Sequence, residues 1–322
     1  METHTFPCSG PADLYVELGA GAIIVDAGPH PWTADPTDPT PAGQGGRNEV
    51  AIRIDGPAAD KFQVTQDGRS IRVIAPKNRP VFGWGRHLVE ISSPAGSDLS
   101  TATGSASVTA TGPLGAVRAK SGSGDVRIAE ASGPVNARGG SADVTLGEVA
   151  GDVVIKVGSG DIRVDGAADV EATSGSGDIV IGRTRTGALV RTGSGDLRVE
   201  RLDSGGTFDT ASGDVTIEAL LAGRLDVRTS SGDVRIGIPA GTPVWTDVHT
   251  SSGDATSSLP PAGEPAQGQP YAEVIARTGS GDISLFPARH PAGAAPVAAA
   301  DGPPLGSPQD AVYGAAPQDA TP

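Results

Sequence analysis

A Ser-Gly-Asp signature returns about every 18 residues along much of this 322-residue chain, and no other feature restricts the fold as tightly. Anchored on the residue after Ser-Gly, ten copies fall at Ser107, Asp125, Asp143, Asp161, Asp178, Asp196, Asp214, Asp233, Asp254 and Asp282. The gaps between them are 18, 18, 18, 17, 18, 18, 19, 21 and 28 residues, the last two widening where Pro/Gly-rich segments such as 258–270 enter. A unit this short cannot bury its own apolar face, so a fixed period of this length implies stacking of equivalent units.

The columns around the anchor give each unit its shape. Serine stands two places before it in all ten copies, and glycine one place before it in eight, with Ala106 and Ala142 as exceptions. One and three places after it lie apolar pairs such as Val126/Ile128, Ile162/Val164, Leu197/Val199 and Ile283/Leu285; the copy at Asp254 breaks the rule with Ala255 and Ser257. Eight and six places before it runs a second alternating set, including Val117/Ala119, Val153/Ile155 and Val274/Ala276. Alternation of period two marks half-buried strands. Serine or threonine recurs four places before the anchor (Ser121, Ser174, Thr192, Thr210, Thr229, Thr250, Thr278), where a hydroxyl can bond backbone freed by a turn.

Each unit therefore reads as strand, tight turn, strand, turn. We expect an all-β fold, a β-solenoid (β-helix or β-roll-like) of about ten 18-residue two-strand coils. Identical columns favour like-on-like stacking at about 4.8 Å per coil. The alternative is an antiparallel meander with a hairpin at every SGSGD.

Residues 1–95 read as a β-rich cap region with a loop at 28–46, residues 96–286 as the repeat, and 287–322 as a disordered Pro/Ala-rich tail. In the first of these, Leu14/Val16/Leu18 followed by Gly-Ala-Gly, Ala22, Ile23 and Val25 fits the repeat register without its aspartate, and Gln66-Asp67-Gly68 reads as a hairpin turn. The composition suits small stacked strands: 47 glycines, 27 prolines and only 3% aromatic residues. A formal charge of -14 argues against general affinity for nucleic acid. No apolar run is long enough to span a membrane. Neither a signal peptide nor a lipobox is visible, so the expected location is the cytoplasm, or the cell surface only by an unrecognised export route. Cys8, the single cysteine, reads as a buried thiol or a surface accident.

The SGSGDV and SSGDVRI units, with the Pro94-Ala95-Gly96-Ser97-Asp98-Leu99 segment before them, resemble the bacterial putative-adhesin family of β-strand-repeat proteins, largely a domain of unknown function. The resemblance covers about residues 6–286. It implies a β-helical stack and an adhesion role, and it supplies no catalytic residues.

Two columns carry the chemistry. The aspartates Asp125, Asp143, Asp161, Asp178, Asp196, Asp214, Asp233, Asp254 and Asp282 read as structural turn residues capping backbone N–H groups, with Arg127, Arg163, Arg198 and Arg235 placed to offset their charge. The competing reading is a calcium β-roll, although one aspartate per 18 residues supplies few of the six to eight oxygens calcium takes. Five places before the anchor lies a basic column, Lys120, Arg138, Lys156, Arg191, Arg228 and Arg277 with His249 in line, either a solvated face or a polyanion-binding stripe. Val81-Phe82-Gly83-Trp84-Gly85, Trp32 and Trp245 offer aromatic packing or a partner contact. The five histidines (His4, His30, His87, His249, His290) show no metal-binding spacing, and a serine repeated in every turn is structural.

The expectation is a non-catalytic structural or interaction protein, needing no cofactor, whose rigid surface binds a partner protein or polymer. Self-association through open ends is also expected. A polysaccharide-active enzyme on a β-helix is the remaining alternative, and it would need acids gathered in a cleft.

Overall fold

Period-two patterning without any helical periodicity leads to strands throughout. The computed structural model, which describes residues 1–28, 49–76, 86–261, 263 and 265–288, shows 25 strands in one sheet and a single short 3-10 turn at Ala59–Lys61. All described residues belong to one unit, Met1–Arg289. The loop expected at 28–46 beyond Gly28, the Val81–Gly85 segment and the tail from residue 289 lie outside the described residues.

The strands join in two ladders. Before the SGD turn, Val117–Ser121 pairs in parallel with Val135–Gly139, which pairs with Val153–Val157, each residue meeting its equivalent one repeat later. After the turn, Val126–Ala131 pairs in parallel with Val144–Val149, which pairs with the first part of Ile162–Ser174. Two strands of one unit never pair with each other here, so hairpins at SGSGD are excluded for these units. Long strands such as Ile162–Ser174 and Ile179–Ser194 cross from one ladder to the other, pairing over both halves.

The core lies between the ladders. Val126, Ile128, Val144, Leu146, Ile162 and Val164 from one side and Val117, Ala119, Val135, Ala137, Val153 and Ile155 from the other are all buried. These side chains are small, so the ladders approach closely and few rings are needed. Phe208 is fully buried, two places along its strand from Gly206, where a Cβ would lie 2.9 Å from its ring. At about 25 cal/mol per Å² of apolar surface, each buried Val, Leu or Ile contributes roughly 1.5–3 kcal/mol, so repetition builds stability unit by unit.

Segments from residues 1–95 join the same ladders. Asp13–Leu18 stacks in parallel on Asp98–Thr103, with Leu14 meeting Leu99, and Gly21–Ala27 stacks on Ser107–Leu114, with Ile23 meeting Val108. On the far side of these strands lie Ser70–Ile74 and His87–Ser93. Beyond them the pairing turns antiparallel: Gln63–Asp67 forms a hairpin with Ser70–Ile74, Glu49–Asp55 pairs with His87–Ser93, and Glu2–Pro7 pairs with Glu49–Asp55. Gly68 carries the positive φ of 57° that this hairpin turn needs.

Stack order departs from chain order at the other end. Ala272–Ser280 lies between Gly223–Ser231 and Val244–Ser252, and Ile283–Pro287 lies between Val234–Ile238 and Ala255–Ser257. The Asp282 unit is therefore inserted beneath the Asp254 unit, which becomes the outermost. The Pro/Gly-rich segment 258–270 lies in the widened gap, between these two units in the chain. That outermost position also explains Ala255 and Ser257, which are exposed and have no described strand stacked above them.

The Ala142 exception has a local cause. Gly139, four places before Asp143, carries no side chain where most other units place serine or threonine, and a Cβ there would lie 2.8 Å from the Ala142 methyl. The two positions exchange volume.

The glycine that precedes most of the aspartates lets neighbouring units approach closely. A Cβ at Gly232 would fall 2.1 Å from the Gly213 carbonyl oxygen, on a backbone whose φ is 147°. Replacing Gly232 by alanine is expected to destabilise the protein by about 1–3 kcal/mol, measured by thermal or urea unfolding. Gly10→Ala, where nothing lies within 4 Å, is the control and should stay within about 0.5 kcal/mol of the parent.

Candidate functional site

Because every unit repeats the same turn, each aspartate meets the next turn one ladder step away. The Oδ1 of Asp143 accepts the Asp161 N–H at 3.0 Å, Asp161 accepts from Asp178 at 3.0 Å, Asp178 from Asp196 at 2.8 Å, and Asp196 from Asp214 at 2.9 Å. The series continues with Asp214 to Asp233 at 2.8 Å, Asp233 to Asp282 at 2.9 Å and Asp282 to Asp254 at 2.9 Å. The carboxylates thus bond the backbone of the neighbouring unit rather than of their own turn. Sequence reasoning missed this direction of bonding, because it depends on which units touch.

The hydroxyl column backs the same turns from inside. Thr192 donates to the Gly177 carbonyl at 3.2 Å, Thr278 to Gly232 at 3.1 Å and Thr250 to Gly281 at 2.9 Å, while Ser121 donates to Gly124 at 2.6 Å within its own turn. Cys8 is buried, its Sγ donating to the Gly10 carbonyl.

Of the arginines two places after the anchor, Arg127 pairs with its own Asp125 at 2.9 Å. Arg163 pairs instead with Asp165, and Arg198 with Glu218. The aspartate edge is therefore offset mainly by hydrogen bonds from neutral backbone. A group of three or more His, Cys, Asp or Glu arranged to hold a metal ion does not occur among the described residues.

The basic column does line up. Lys120 meets Arg138, Arg138 meets Lys156, and Arg228 meets Arg277, which also meets His249. Thr173 and Asp209 fill the intervening places. Acids from neighbouring positions neutralise much of it: Lys156 pairs with Glu171 at 2.7 Å, Arg191 with Asp209 at 3.2 Å, Arg228 with Asp226 at 2.9 Å and Arg277 with Asp247 at 3.2 Å. Among the described residues Lys120 and Arg138 have no acidic partner, and neither has Arg118 on the same strand as Lys120.

Acids do gather at one place that the repeat did not announce. Asp169 sits near Asp152 and Glu171, and burial pushes its carboxyl above the ordinary value of 3.8, with repulsion from Asp152 and Glu171 adding to the rise. Asp152 and Asp169 stand nine places before their anchors and Glu171 seven, at the far end of the unit from the aspartate column.

Concave surface is shallow and lies elsewhere. A cleft of about 790 Å³ is bounded by Gly21, Asp55, Arg86, His87, Ser105 and Asp125. Its imidazole is held structurally, with Nε2 2.7 Å from the Pro57 carbonyl and the ring edge-on to Phe62 at 5.2 Å. Trp245 and Tyr271 are more than half exposed. Among the described residues no helix is long and apolar enough to cross a membrane.

The model of the Toastrack DUF4097 family matches residues 43–286, three quarters of the chain, so the protein belongs to that family. This is a domain-of-unknown-function class such as the SGD units led us to expect. Three solved structures illustrate the similarity. A putative adhesin from Parabacteroides merdae shares 13% identity over 88% of this chain and 95% of its own, with a TM-score of 0.36. A putative adhesin from Bacteroides fragilis shares 13% over 88% and 97%, with a TM-score of 0.30. A putative lipid binding protein from Parabacteroides distasonis shares 16% over 88% and 96%, with a TM-score of 0.33. No curated protein matches the chain.

Three outcomes test this geometry. Asp196→Ala removes the acceptor for the Asp214 N–H and is expected to cost about 0.5–1.5 kcal/mol, whereas Asp196→Asn keeps an oxygen there and should cost less, both read by denaturant unfolding. Calcium added to EGTA-treated protein is expected to release no heat and leave the melting temperature unchanged, because Oδ1 of Asp143, Asp161, Asp178, Asp196, Asp214, Asp233 and Asp282 is directed at a backbone N–H. For Asp169 the folded-state value is raised, so its ionisation weighs against the fold: stability is greatest below the ordinary carboxylate value and is lost as pH rises through the folded one. Asp169→Asn should therefore melt above the parent at neutral pH, and the difference should vanish below about pH 3.8.

Proposed function

We propose that the protein is a non-catalytic scaffold in which the two ladders form the walls of a flattened β-solenoid of about ten SGD coils. In this reading residues 96–286 are the stack, residues 1–95 its cap region, and 287–322 an appended tail. Its role is to bind a partner protein or polymer along an exposed wall. One observation carries it: chemically equivalent side chains recur in register along the ladders, while the imidazole of the cleft, His87, is engaged by the Pro57 carbonyl. A surface with a repeat of about 4.8 Å per step suits a ligand that is itself repetitive.

Within that scaffold the contact for a polyanionic polymer is the unpaired group Arg118, Lys120 and Arg138. The remaining basic positions, Lys156, Arg191, Arg228 and Arg277, are engaged by acids and lend the column spacing more than charge. Exposed ion pairs of this kind are worth about 0–1 kcal/mol, so they leave those side chains able to reorient toward a polymer.

The test is retention on an immobilised sulfated polysaccharide at increasing salt. The parent protein should bind in a salt-sensitive way, and Lys120→Ala/Arg138→Ala should weaken binding and lower the salt dependence by roughly two counterions. Failure of the parent to bind removes the polyanion contact; equal binding by the double variant removes these residues from it. Turnover of a uronate-containing polysaccharide by the purified protein would overturn the scaffold reading altogether.

A further inference from the structure

The two ends of the ladders are finished differently. At one end the pairing turns antiparallel through Glu49–Asp55, Glu2–Pro7 and Gln63–Asp67, which breaks the parallel repeat. At the other, Val244–Ser252 pairs with Ala272–Ser280 on one side and with no described strand on the other, and Ala255–Ser257 likewise has one neighbour. Val274, Ala276 and Thr278 are buried, whereas Thr246 is exposed and Val248 and Thr250, their register partners in the outermost strand, are only half-buried. The core is open here. The aspartate series also stops: Asp254 donates its N–H to Asp282, and no described N–H reaches its own carboxylate.

We propose that this edge is the docking site for a second copy of the chain, joined by antiparallel pairing of the two Val244–Ser252 strands about a two-fold axis through Val248. The backbone phase allows it. Ala272 N–H donates to the Pro243 carbonyl at 2.9 Å, so odd-numbered positions face Ala272–Ser280. The even-numbered positions 244, 246, 248 and 250 turn their N–H and C=O outward. A two-fold axis at Val248 makes Val248 a hydrogen-bonded pair with the partner's Val248 and pairs Thr246 with the partner's Thr250.

The side chains of this strand are complementary to themselves in that register. Asp247, which Arg277 of its own chain engages through one oxygen at 3.2 Å, falls opposite the partner's His249, and His249 opposite the partner's Asp247, so a second carboxylate oxygen faces an imidazole twice. Both lie at non-hydrogen-bonded positions, where cross-strand side chains approach most closely. Trp245, 57% exposed, comes opposite the small partner's Ser251, which leaves room for the indole to lie across the joint. On the inner side Val248 meets the partner's Val248, closing one core end against another. An isologous contact of this kind terminates itself and gives a dimer rather than a fibre.

The experiment is sedimentation velocity on the full chain across a concentration series, with circular dichroism confirming that each variant is folded. A concentration-dependent dimer is expected. Val248→Pro removes an outward N–H while leaving the inward bonds intact, and should raise the dimer dissociation constant at least about tenfold. His249→Glu sets a carboxylate opposite the partner's Asp247 in both pairs and should weaken the dimer on the order of tenfold. Asp247→Lys/His249→Glu should restore it, which no general loss of stability would do. A parent protein that stays monomeric, a Val248→Pro dimer as tight as the parent, or failure of the double variant to restore association would each overturn the proposal. So would a monomer that dimerises only when residues 289–322 are deleted, since that would assign the edge to the chain's own terminal segment.

Discussion

The close parallel contact between equivalent glycines organises the rest of the structure. A Cβ at Gly177 would stand 2.1 Å from the Gly160 carbonyl, and one at Gly195 would stand 2.2 Å from that of Gly177. Such an approach allows successive turns to sit directly on one another, with backbone bonds such as Ile162 N–H to Asp178 carbonyl at 2.9 Å running between units. Once the turns are in register, every other column must be in register too. Apolar positions become a continuous core, hydroxyls bond glycine carbonyls of the adjacent unit, and aspartates bond its backbone. Each interaction is modest, about 0.5–1.5 kcal/mol net for a hydrogen bond, but the same set recurs at every step.

Register also decides what happens to charge. Like residues stacked about 4.8 Å apart would repel along both charged columns. On the aspartate edge the repulsion is met by backbone N–H groups, which accept no charge of their own. On the basic column it is met by acids set into the ladder, such as Asp209 between Arg191 and Arg228, and Glu171 beside Lys156. In the acidic trio around Asp169, Lys156 pairs with Glu171, but Asp169 itself meets Gly187 in the following unit, which brings no cation. A wall built this way offers a long, evenly textured surface rather than a cleft.

A repeat must stop, and the stops show what repetition had been supplying. At one end the antiparallel strands take the ladder edge out of parallel register, and Phe62 packs at the Ala59–Lys61 turn against the core. At the other, the Asp282 unit passes beneath the Asp254 unit, whose side chains then have no neighbour on one side. The degeneracy of the Asp254 copy follows from that position: an outermost strand needs no valine or isoleucine at 255 and 257, because no described strand stacks on them.

Strand identity, the unit boundary and the inward columns were all legible in the chain, because period-two alternation and a fixed glycine depend only on local backbone geometry and burial. Leu14, Ile23 and their neighbours could be placed in the repeat without an aspartate for the same reason. The order of stacking at the Asp254 end, the bonding of each aspartate to the next unit, the engagement of Lys156, Arg191, Arg228 and Arg277 by acids, and the crowding of Asp169 were not legible. Each of these depends on which units lie side by side, and an 18-residue pattern is the same whichever neighbour it meets. Local chemistry therefore determined the form of each unit, and only the tertiary contacts decided the sequence in which units are stacked and which charges are left unmatched.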